Sequence, residues 1–180
     1  MLIPVLTTAH LILRGPEERD AQAYARFFAS ERARYVGGPL SESIARRVFP
    51  LVINGWQEHG FGMWTVTIKG DDSSVGLIGC RYPAGWPERE IGWLLWQGWE
   101  GKGIAFEAAS AVRDHVFSTF AWDSAVSYIA PGNHRSIRLA ERLGAKRDEA
   151  ALFPGDEPCL VYRHPFPDHI DGEGGMEAYA

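Results

Sequence analysis

The stretch that decides the fold is Trp96-Gln97-Gly98-Trp99-Glu100-Gly101-Lys102-Gly103-Ile104-Ala105. It joins an alternating segment that is typical of a strand, 90–96, to the strongest amphipathic helical segment of the chain, 101–120. Glycines at the start of a helix let backbone N–H groups approach an anion closely, and the helix dipole favours negative charge at that end. The stretch therefore predicts a pyrophosphate-binding loop between a strand and a helix.

Two common phosphate loops do not fit this stretch. A P-loop continues after its Gly-Lys pair with Ser or Thr, whereas Lys102 is followed by Gly103 and Ile104. A dinucleotide fingerprint needs a third glycine at position 106, which is occupied by Phe106. A nucleotide-dependent kinase or oxidoreductase is therefore disfavoured. An ordinary glycine-rich turn and an acetyl-CoA loop are the alternatives that remain.

Outward from the loop, the hydrophobic periodicity predicts one mixed α/β domain in the order β-α-α-β-β-β-α-β-α-β-β. The predicted sheet is seven-stranded and largely antiparallel, with one parallel crossover through the helix at 101–120 and about four flanking helices. The predicted strands are 8–14, the hairpin within 61–82, 90–96, 125–129, 145–152 and 158–164, and the other helices follow Asp20, Ser41 and Asn133.

Single residues carry further local predictions. Asp20 is expected to cap the first helix, and Ser41 is expected to start the second. Pro50 lies inside the second helical segment and predicts a kink or a break into two pieces. Gly144 is expected to end the helix that begins near Asn133.

Four segments of the chain resemble the GNAT superfamily of N-acetyltransferases. Glu100-Gly101-Lys102-Gly103-Ile104-Ala105 resembles the family's Gln/Arg-x-x-Gly-x-Gly/Ala loop, with Glu100 where Gln or Arg is usual. The likeness to the RimJ/RimL-like branch, the ribosomal-protein N-acetyltransferases, also extends over Leu11–Arg14, Glu90–Trp93 and the Asn-x-x-Ser helix from Asn133 to Ala145. The four segments occur in the expected order within residues 7 to 165.

The resemblance implies a GNAT fold that binds acetyl-CoA as acetyl donor and transfers the acetyl group to a primary amine. Glu100 would place a negative charge near the pyrophosphate, so we expect backbone groups to make that contact. By the same resemblance, backbone groups of the strand before the loop hold the pantetheine arm and the thioester carbonyl. The implied cofactor-binding residues are Leu94, Leu95, Trp96, Gly101, Lys102, Gly103, Ile104, Ala105 and Asn133.

Two residues are candidates for proton transfer. Glu90 could accept a proton from the amine, directly or through water, or it could be a solvated strand residue beside Arg89. Ser136 could protonate the departing thiolate or hold a water, or it could be an exposed residue in the first turn of its helix. Many family members use a tyrosine one turn farther on, where this chain has Ala140, so Ser136 is the only candidate acid. Three roles are open for Asn133: to cap its helix, to contact the cofactor arm, or to do both.

Composition limits the other functions. The chain has 180 residues and a net charge of −5, and four of its acids lie in the acidic stretch 168–180, which we expect to be a mobile tail after one domain at 1–167. The body is nearly neutral, which disfavours nucleic acid as a partner. Cys80 and Cys159 are too far apart in sequence to suggest a metal site, and no Gly-x-Ser-x-Gly motif suggests a hydrolase.

The composition also predicts where the protein works. No apolar run approaches the ~18–20 residues that cross a bilayer, so we expect a protein that binds no membrane. Two widely separated cysteines fit a reducing cytoplasm, and the sequence leaves monomer and homodimer equally open. The acceptor is expected to be a peptide N-terminus or a small-molecule amine. The alternative is a GNAT-fold module that binds or senses acetyl-CoA without catalysis.

Overall fold

The computed structural model describes residues 2–166, and these residues build one eight-stranded sheet. The strands are β1 Leu6–Thr7, β2 Leu11–Arg14, β3 Met63–Ile68, β4 Asp71–Arg81, β5 Glu90–Leu95, β6 Val126–Ile129, β7 Lys146–Arg147 and β8 Leu160–Arg163. Their order across the sheet is β1-β2-β3-β4-β5-β6-β8-β7. All neighbours are antiparallel except β5 and β6. The predicted mixed sheet is confirmed.

Four α-helices cover the sheet: α1 Ala21–Phe28, α2 Glu42–His59, α3 Ile104–Ser118 and α4 His134–Arg142. Short 3-10 helices at Glu18–Asp20 and Glu31–Tyr35 flank α1. The apolar side of α3 packs with Trp64, Ile78 and Ile91 in one core, while α1 and α2 pack with Met63 and Leu77 in another. Two helical layers thus enclose the sheet, and α3 makes the predicted parallel crossover from β5 to β6.

The strand count differs from the prediction by one. The predicted strand 8–14 contains β2, and the additional strand is β1: Leu6–Thr7, which precedes the predicted segment, folds back antiparallel on Leu11–Arg14. The predicted strand 145–152 is shorter than expected, and only Lys146–Arg147 pairs with β8. The prediction for the tail at 168–180 lies outside the described residues.

The prediction for Asp20 as a helix cap is wrong. Its backbone is helical, and its side chain makes no cap hydrogen bond to α1. The carboxylate instead accepts two hydrogen bonds from Arg14, each 2.9 Å, and one from Thr65 Oγ1 at 2.8 Å. A buried carboxylate needs such partners. Asp20 therefore joins β2, β3 and the start of α1.

Pro50 does not divide the second helix, which runs without interruption as α2 from Glu42 to His59. The side of α2 that holds Pro50 and Arg46 is exposed, so water can satisfy the Arg46 carbonyl that a proline leaves without its N–H partner. The predictions for Ser41 and Gly144 are confirmed. Ser41 Oγ accepts from the Ile44 N–H at 3.3 Å, and Gly144 follows α4 with φ +79°.

The sheet opens between β5 and β6, and this opening positions the site. The two strands pair at a single position, Glu90 opposite Val126. One residue farther on, Ser127 Oγ donates to the Ile91 carbonyl at 2.6 Å, and beyond that the strands separate. Within the part of the chain that the structure describes, no helix is long and apolar enough to cross a membrane.

Candidate active site

The edge of β5 that faces the opening carries backbone groups that β6 does not pair, although the Leu95 carbonyl accepts a hydrogen bond from Arg32 Nη2 at 3.0 Å. The Trp96 N–H donates to the Val75 carbonyl at 3.0 Å, and the register pairs Leu94 with Leu77. Because alternate residues of a strand present N–H and C=O to opposite edges, Trp93 and Leu95 present theirs to the opening. Three residues were expected to offer backbone groups to the cofactor. Leu95 directs its N–H and C=O to the opening, whereas Leu94 and Trp96 direct theirs to β4.

The start of α3 lies at the mouth of this opening. Gly103 precedes the helix with φ +78°, and Gly101 has φ +74°, a backbone conformation that glycine adopts without strain. Among the described residues, no atom lies within 4 Å of a Cβ built at either glycine, and no side chain caps the helix. The first N–H groups of α3 are therefore available to an anion.

A large groove runs from the start of α3 to α4. Its volume is about 1220 Å³, and its lining includes Gly101, Gly103, Ile104, Ala105 and Asn133. Lys102 is not among the lining residues, and its ammonium lies 4.6 Å from the centre of the Trp99 ring. Five arginines line the groove against two glutamates, Glu31 and Glu100. The arginines are Arg32, Arg34, Arg135, Arg138 and Arg142. The excess of positive charge fits a phosphorylated ligand.

Glu100 is neutralised within this groove. Its carboxylate is ion-paired with Arg32, lies 3.7 Å from Arg135 Nη1 and accepts the Gly98 N–H at 2.8 Å. The negative charge of Glu100 is therefore held by two cations and the loop backbone. The two arginines leave the mouth of the groove net positive despite Glu100.

A second cavity lies on the other side of the opening, under α1 and α2. Its volume is about 490 Å³, which suits a small molecule or the end of a chain. Tyr24, Phe28, Val48, Val52, Met63 and Leu77 supply much of its apolar wall. The groove and the cavity share lining residues at their junction, namely Tyr35, Val36, Trp93, Leu94, Asn133 and Ser136.

Glu90 lies in this cavity and is buried rather than solvated. The residue is 5% exposed, and its Oε2 has no hydrogen-bond partner within residues 2–166. Burial raises the pKa of Glu90 above 4.5, while Arg81 and the Tyr128 backbone N–H act in the opposite direction. A buried carboxylate with a free oxygen and a raised pKa has the properties of a general base.

Gly92 leaves space beside the Glu90 carboxylate. A Cβ at Gly92 would lie 3.6 Å from Glu90 Oε2 and 3.8 Å from Arg81 Cδ. Glu90, Gly92 and Leu94 alternate along β5, so they share the face that lines the cavity. The space over Gly92 is thus bounded by the carboxylate at one end and by Leu94 at the junction at the other.

Ser136 lies at the junction in the first turn of α4. The Trp93 Nε1–H donates to Ser136 Oγ at 3.0 Å, and the Ser136 N–H donates to Asn133 Oδ1 at 3.3 Å. Because the indole can only donate, the Ser136 hydroxyl hydrogen stays available for another acceptor. Asn133 is therefore the cap of α4 and also lines both spaces. Ala140 is fully buried and lines neither space.

A buried pair fixes the point where β5 and β6 separate. Ser127 Oγ gives its only hydrogen to the Ile91 carbonyl and lies 2.9 Å from His164 Nε2. The histidine must therefore donate from Nε2, which leaves Nδ1 unprotonated, and Nδ1 has no hydrogen-bond partner in the described part of the chain. Burial lowers the pKa of His164 to about 3, so the ring is neutral at physiological pH.

Three contributing residues were not among the sequence-based candidates: Arg32, Arg81 and Trp93. Arg32 is brought to the loop from the Glu31–Tyr35 segment, and its Nη2 donates to the Leu95 carbonyl at 3.0 Å. No local pattern marks Arg32 or Arg81 in the sequence. Trp93 belongs to the Glu90–Trp93 segment and alternates with Ile91 and Leu95, so its position facing the opening follows from the strand register. The described residues contain no group of three or more His, Cys, Asp or Glu side chains that could hold a metal ion.

The comparison with protein families decides the classification. Residues 10–146, well over half of the chain, match the acetyltransferase (GNAT) domain. The chain belongs to the GNAT acetyltransferase family. The family, the GNAT fold and the enzyme class expected from the sequence are thereby confirmed.

Solved and curated GNAT proteins resemble the chain over most of its length. An acetyltransferase from Agrobacterium tumefaciens str. C58 shares 38% identity at a TM-score of 0.85, covering 92% of this chain and 96% of that one. YnaD, an uncharacterized N-acetyltransferase of Bacillus subtilis (strain 168), is 25% identical over 145 residues, 79% of this chain and 83% of its own.

The fold is also that of RimL. This ribosomal L7/L12 alpha-N-protein acetyltransferase, solved in complex with coenzyme A, has a TM-score of 0.69 and covers 92% of this chain and 98% of its own. Its identity to this chain is 20%, so the likeness is one of fold alone.

Proposed function

We propose that this GNAT protein transfers the acetyl group of acetyl-CoA to a primary amine by direct attack within a ternary complex. One observation carries the proposal: a basic groove and an apolar cavity meet at shared residues, among them Trp93, Leu94 and Ser136. A donor in the groove and an acceptor in the cavity would meet at that junction. Holding both reactants together supplies much of the rate enhancement of a group transfer.

The groove fits acetyl-CoA, which supplies an activated thioester. The N–H groups at Gly103, Ile104 and Ala105 would receive the pyrophosphate, supported by Arg32 and Arg135. The backbone of Trp93 and Leu95 faces the opening and would hold the pantetheine arm and the carbonyl. Donors aimed at a developing oxyanion lower a barrier by on the order of 3 kcal/mol each.

Two side chains would move the protons. Glu90 accepts the proton that the amine loses as its nitrogen bonds to the acetyl carbon. Ser136 donates its free hydroxyl hydrogen to the sulfur as the C–S bond breaks and regains a proton from water, while Glu90 gives the amine's proton to water before the next turnover. The two residues lie on opposite sides of the junction, in the cavity and at the start of α4. The group that accepts the amine's proton is therefore different from the group that protonates the sulfur.

A site with one candidate base favours an amine that is partly neutral at physiological pH. A peptide α-amine has a pKa near ~8 and a lysine near ~10.4, so a lysine needs about 3 kcal/mol more to become neutral at pH 7. Glu90 is the single buried carboxylate among the described residues that line the cavity. We therefore infer an α-amine, or a small-molecule amine of similar acidity, as the acceptor.

The test of catalysis is a thiol-release assay with acetyl-CoA and a panel of peptides, amino acids, polyamines and aminoglycosides. Release of CoA that depends on the amine supports the enzyme. A module that only senses acetyl-CoA would bind it in calorimetry and release no thiol with any amine.

The test of the amine type is a competition between two peptides. One has a free N-terminus, and the other is capped there and carries a lysine. We expect the free N-terminus to be acetylated faster across pH 7–9. Faster acetylation of the capped peptide would contradict the assignment of an α-amine.

A further inference from the structure

The acceptor cavity contains a second charged group whose hydrogen-bonding capacity is unused. The Arg81 side chain lines the cavity, is 44% exposed and donates no hydrogen bond to another described side chain. Its Nη1 lies 3.5 Å from Glu90 Oε2, and its guanidinium stacks 4.9 Å from the centre of the Trp86 ring. The stacking fixes one face of the guanidinium and leaves its N–H donors at the edge free.

Arg81 and Glu90 are positioned by the sheet itself. They are direct partners in the β4–β5 register, and the Arg81 side chain extends over Gly92. The Glu90 oxygen closest to Arg81 is also the one without a hydrogen-bond partner within residues 2–166. The buried Glu90 carboxylate and the Arg81 side chain, which is 44% exposed, therefore lie side by side where β5 passes Gly92.

We propose that the acceptor is a free α-amino acid with an apolar side chain, whose amine faces Glu90 and whose carboxylate is bound by Arg81. This proposal rests on the function proposed above. In an α-amino acid the amine and the carboxylate are attached to one carbon, so a site must offer opposite charges close together. An arginine edge matches a carboxylate with two parallel hydrogen bonds.

The rest of the cavity fits the side chain of such an acceptor. Tyr24, Phe28, Val48 and Met63 make an apolar wall around the space that the amino acid side chain would fill. Of the described lining residues only Glu58 and Glu90 carry carboxylates, and the Glu58 side chain is 67% exposed. Polyamines and aminoglycosides carry several positive charges and need several carboxylates, so the cavity disfavours them.

Arg81 also assists deprotonation of such an acceptor. A neighbouring carboxylate stabilises an ammonium group and makes its proton harder to remove. When the carboxylate is paired with Arg81, that stabilisation is reduced and the amine loses its proton to Glu90 more readily. An amide or a peptide bond in place of the carboxylate gains nothing from Arg81.

The experiment compares apolar amino acids such as phenylalanine, leucine and methionine with their primary amides and with dipeptides of the same first residue. We expect kcat/KM for the free acids to exceed that for the amides by 10-fold or more. Arg81→Gln should raise KM for the acids by on the order of 10- to 100-fold, and should raise it far more than KM for the amides. Arg81→Lys should restore part of the preference.

Two further variants complete the experiment. Arg89 also stacks on a tryptophan, Trp122 at 5.3 Å, but does not line the cavity, so Arg89→Gln is the matched control and should keep the preference. Gly92→Ala places a methyl group 3.6 Å from Glu90 Oε2 and 3.8 Å from Arg81 Cδ, in the space that the amino acid would occupy, and should raise KM for the acids while acetyl-CoA binding stays normal.

The outcomes separate the two proposals. Turnover of amides or dipeptides at rates equal to or above those of the free acids overturns the amino-acid assignment and leaves the acetyltransferase function intact. Thiol release with none of these amines, nor with any amine of the wider panel, overturns both.

Discussion

Trp93 and Ser136 are joined by a hydrogen bond at the junction of the groove and the cavity, with the indole Nε1 donating to Oγ over 3.0 Å. The bond orients the hydroxyl oxygen and leaves its hydrogen for a second acceptor. It also connects β5, whose backbone faces the opening, to the first turn of α4. The residue that would protonate the leaving thiolate is thus held by the strand that would hold the thioester.

Ser136→Ala should lower kcat by about 10²-fold while acetyl-CoA affinity stays near wild type, because the change removes an acid at the junction and leaves the groups at the start of α3 that would bind the pyrophosphate unchanged. Steady-state kinetics and calorimetry measure the two effects. Ser118→Ala, at the exposed end of α3, is the control and should change neither. An unchanged kcat with a reactive acceptor removes Ser136 from the mechanism.

Gly103→Val should abolish acetyl-CoA binding, because a branched side chain at the start of α3 blocks the approach of a pyrophosphate. Gly155 is a matched control, since its φ is +71° against +78° at Gly103 and neither glycine has an atom within 4 Å of its Cβ position in the described chain. Gly155→Val carries the same backbone strain outside the groove and should bind normally. Wild-type binding by Gly103→Val in calorimetry would show that the loop is assigned wrongly.

Glu90→Gln should lower kcat by about 10²-fold and remove the low-pH limb of the rate profile that depends on this group. A base must be ionised, so the wild-type rate falls as pH drops through the raised pKa of Glu90. If the pH–rate profile of Glu90→Gln has the same shape as that of the wild type, Glu90 is not the general base.

The same substitution should stabilise the protein at neutral pH. Burial raises the pKa of Glu90, so the folded protein binds its proton more tightly than the unfolded chain. That contribution to stability is full below the unfolded pKa of about 4.5 and is lost as pH rises through the folded pKa. Denaturant midpoints should therefore be higher for Glu90→Gln at pH 7.5, with a smaller difference at pH 5. If Glu90→Gln is less stable than wild type at pH 7.5, the ionised, buried Glu90 does not destabilise the folded protein as we expect.

His164 should make the protein sensitive to acid. Its pKa is lowered to about 3 in the folded protein, so the unfolded chain binds the proton more strongly. The free energy of unfolding that depends on neutral His164 is fully present above about pH 6.5 and is lost as the pH falls towards 3. His164→Gln keeps an N–H donor for Ser127 and removes the titration. Between pH 7.5 and pH 5 the wild type should lose up to about 2 kcal/mol more than the variant in chemical denaturation. Equal losses in both proteins would contradict a neutral buried His164.

The sequence predicts the loop, α3 and the sheet because their signals are local. Glycine spacing and apolar period are properties of consecutive residues. Gly101, Gly103, Ile104 and Ala105 line the groove, and their binding of acetyl-CoA stays a prediction. Glu90 lines the cavity, and Ser136 lines both the cavity and the groove. Their roles in catalysis stay predictions.

Other features depend on contacts that no local pattern contains. A period of two tells which face of β5 a side chain takes, but the edge to which its N–H points depends on the register with β4. That register turns Leu95 towards the opening and Trp96 towards Val75. Arg32 reaches Glu100 only through tertiary packing, and the effect of Pro50 depends on which side of α2 is exposed.

The most direct measurement of function is a closed reaction of the purified protein with acetyl-CoA and an amine that is a substrate in the panel. Mass spectrometry of the amine and thiol determination are made on the same samples. We expect one acetylated amine for each CoA released, at a rate that falls by about 10²-fold in Glu90→Gln. Thiol release without acetylated amine, or bound acetyl-CoA that is never consumed, would contradict an N-acetyltransferase.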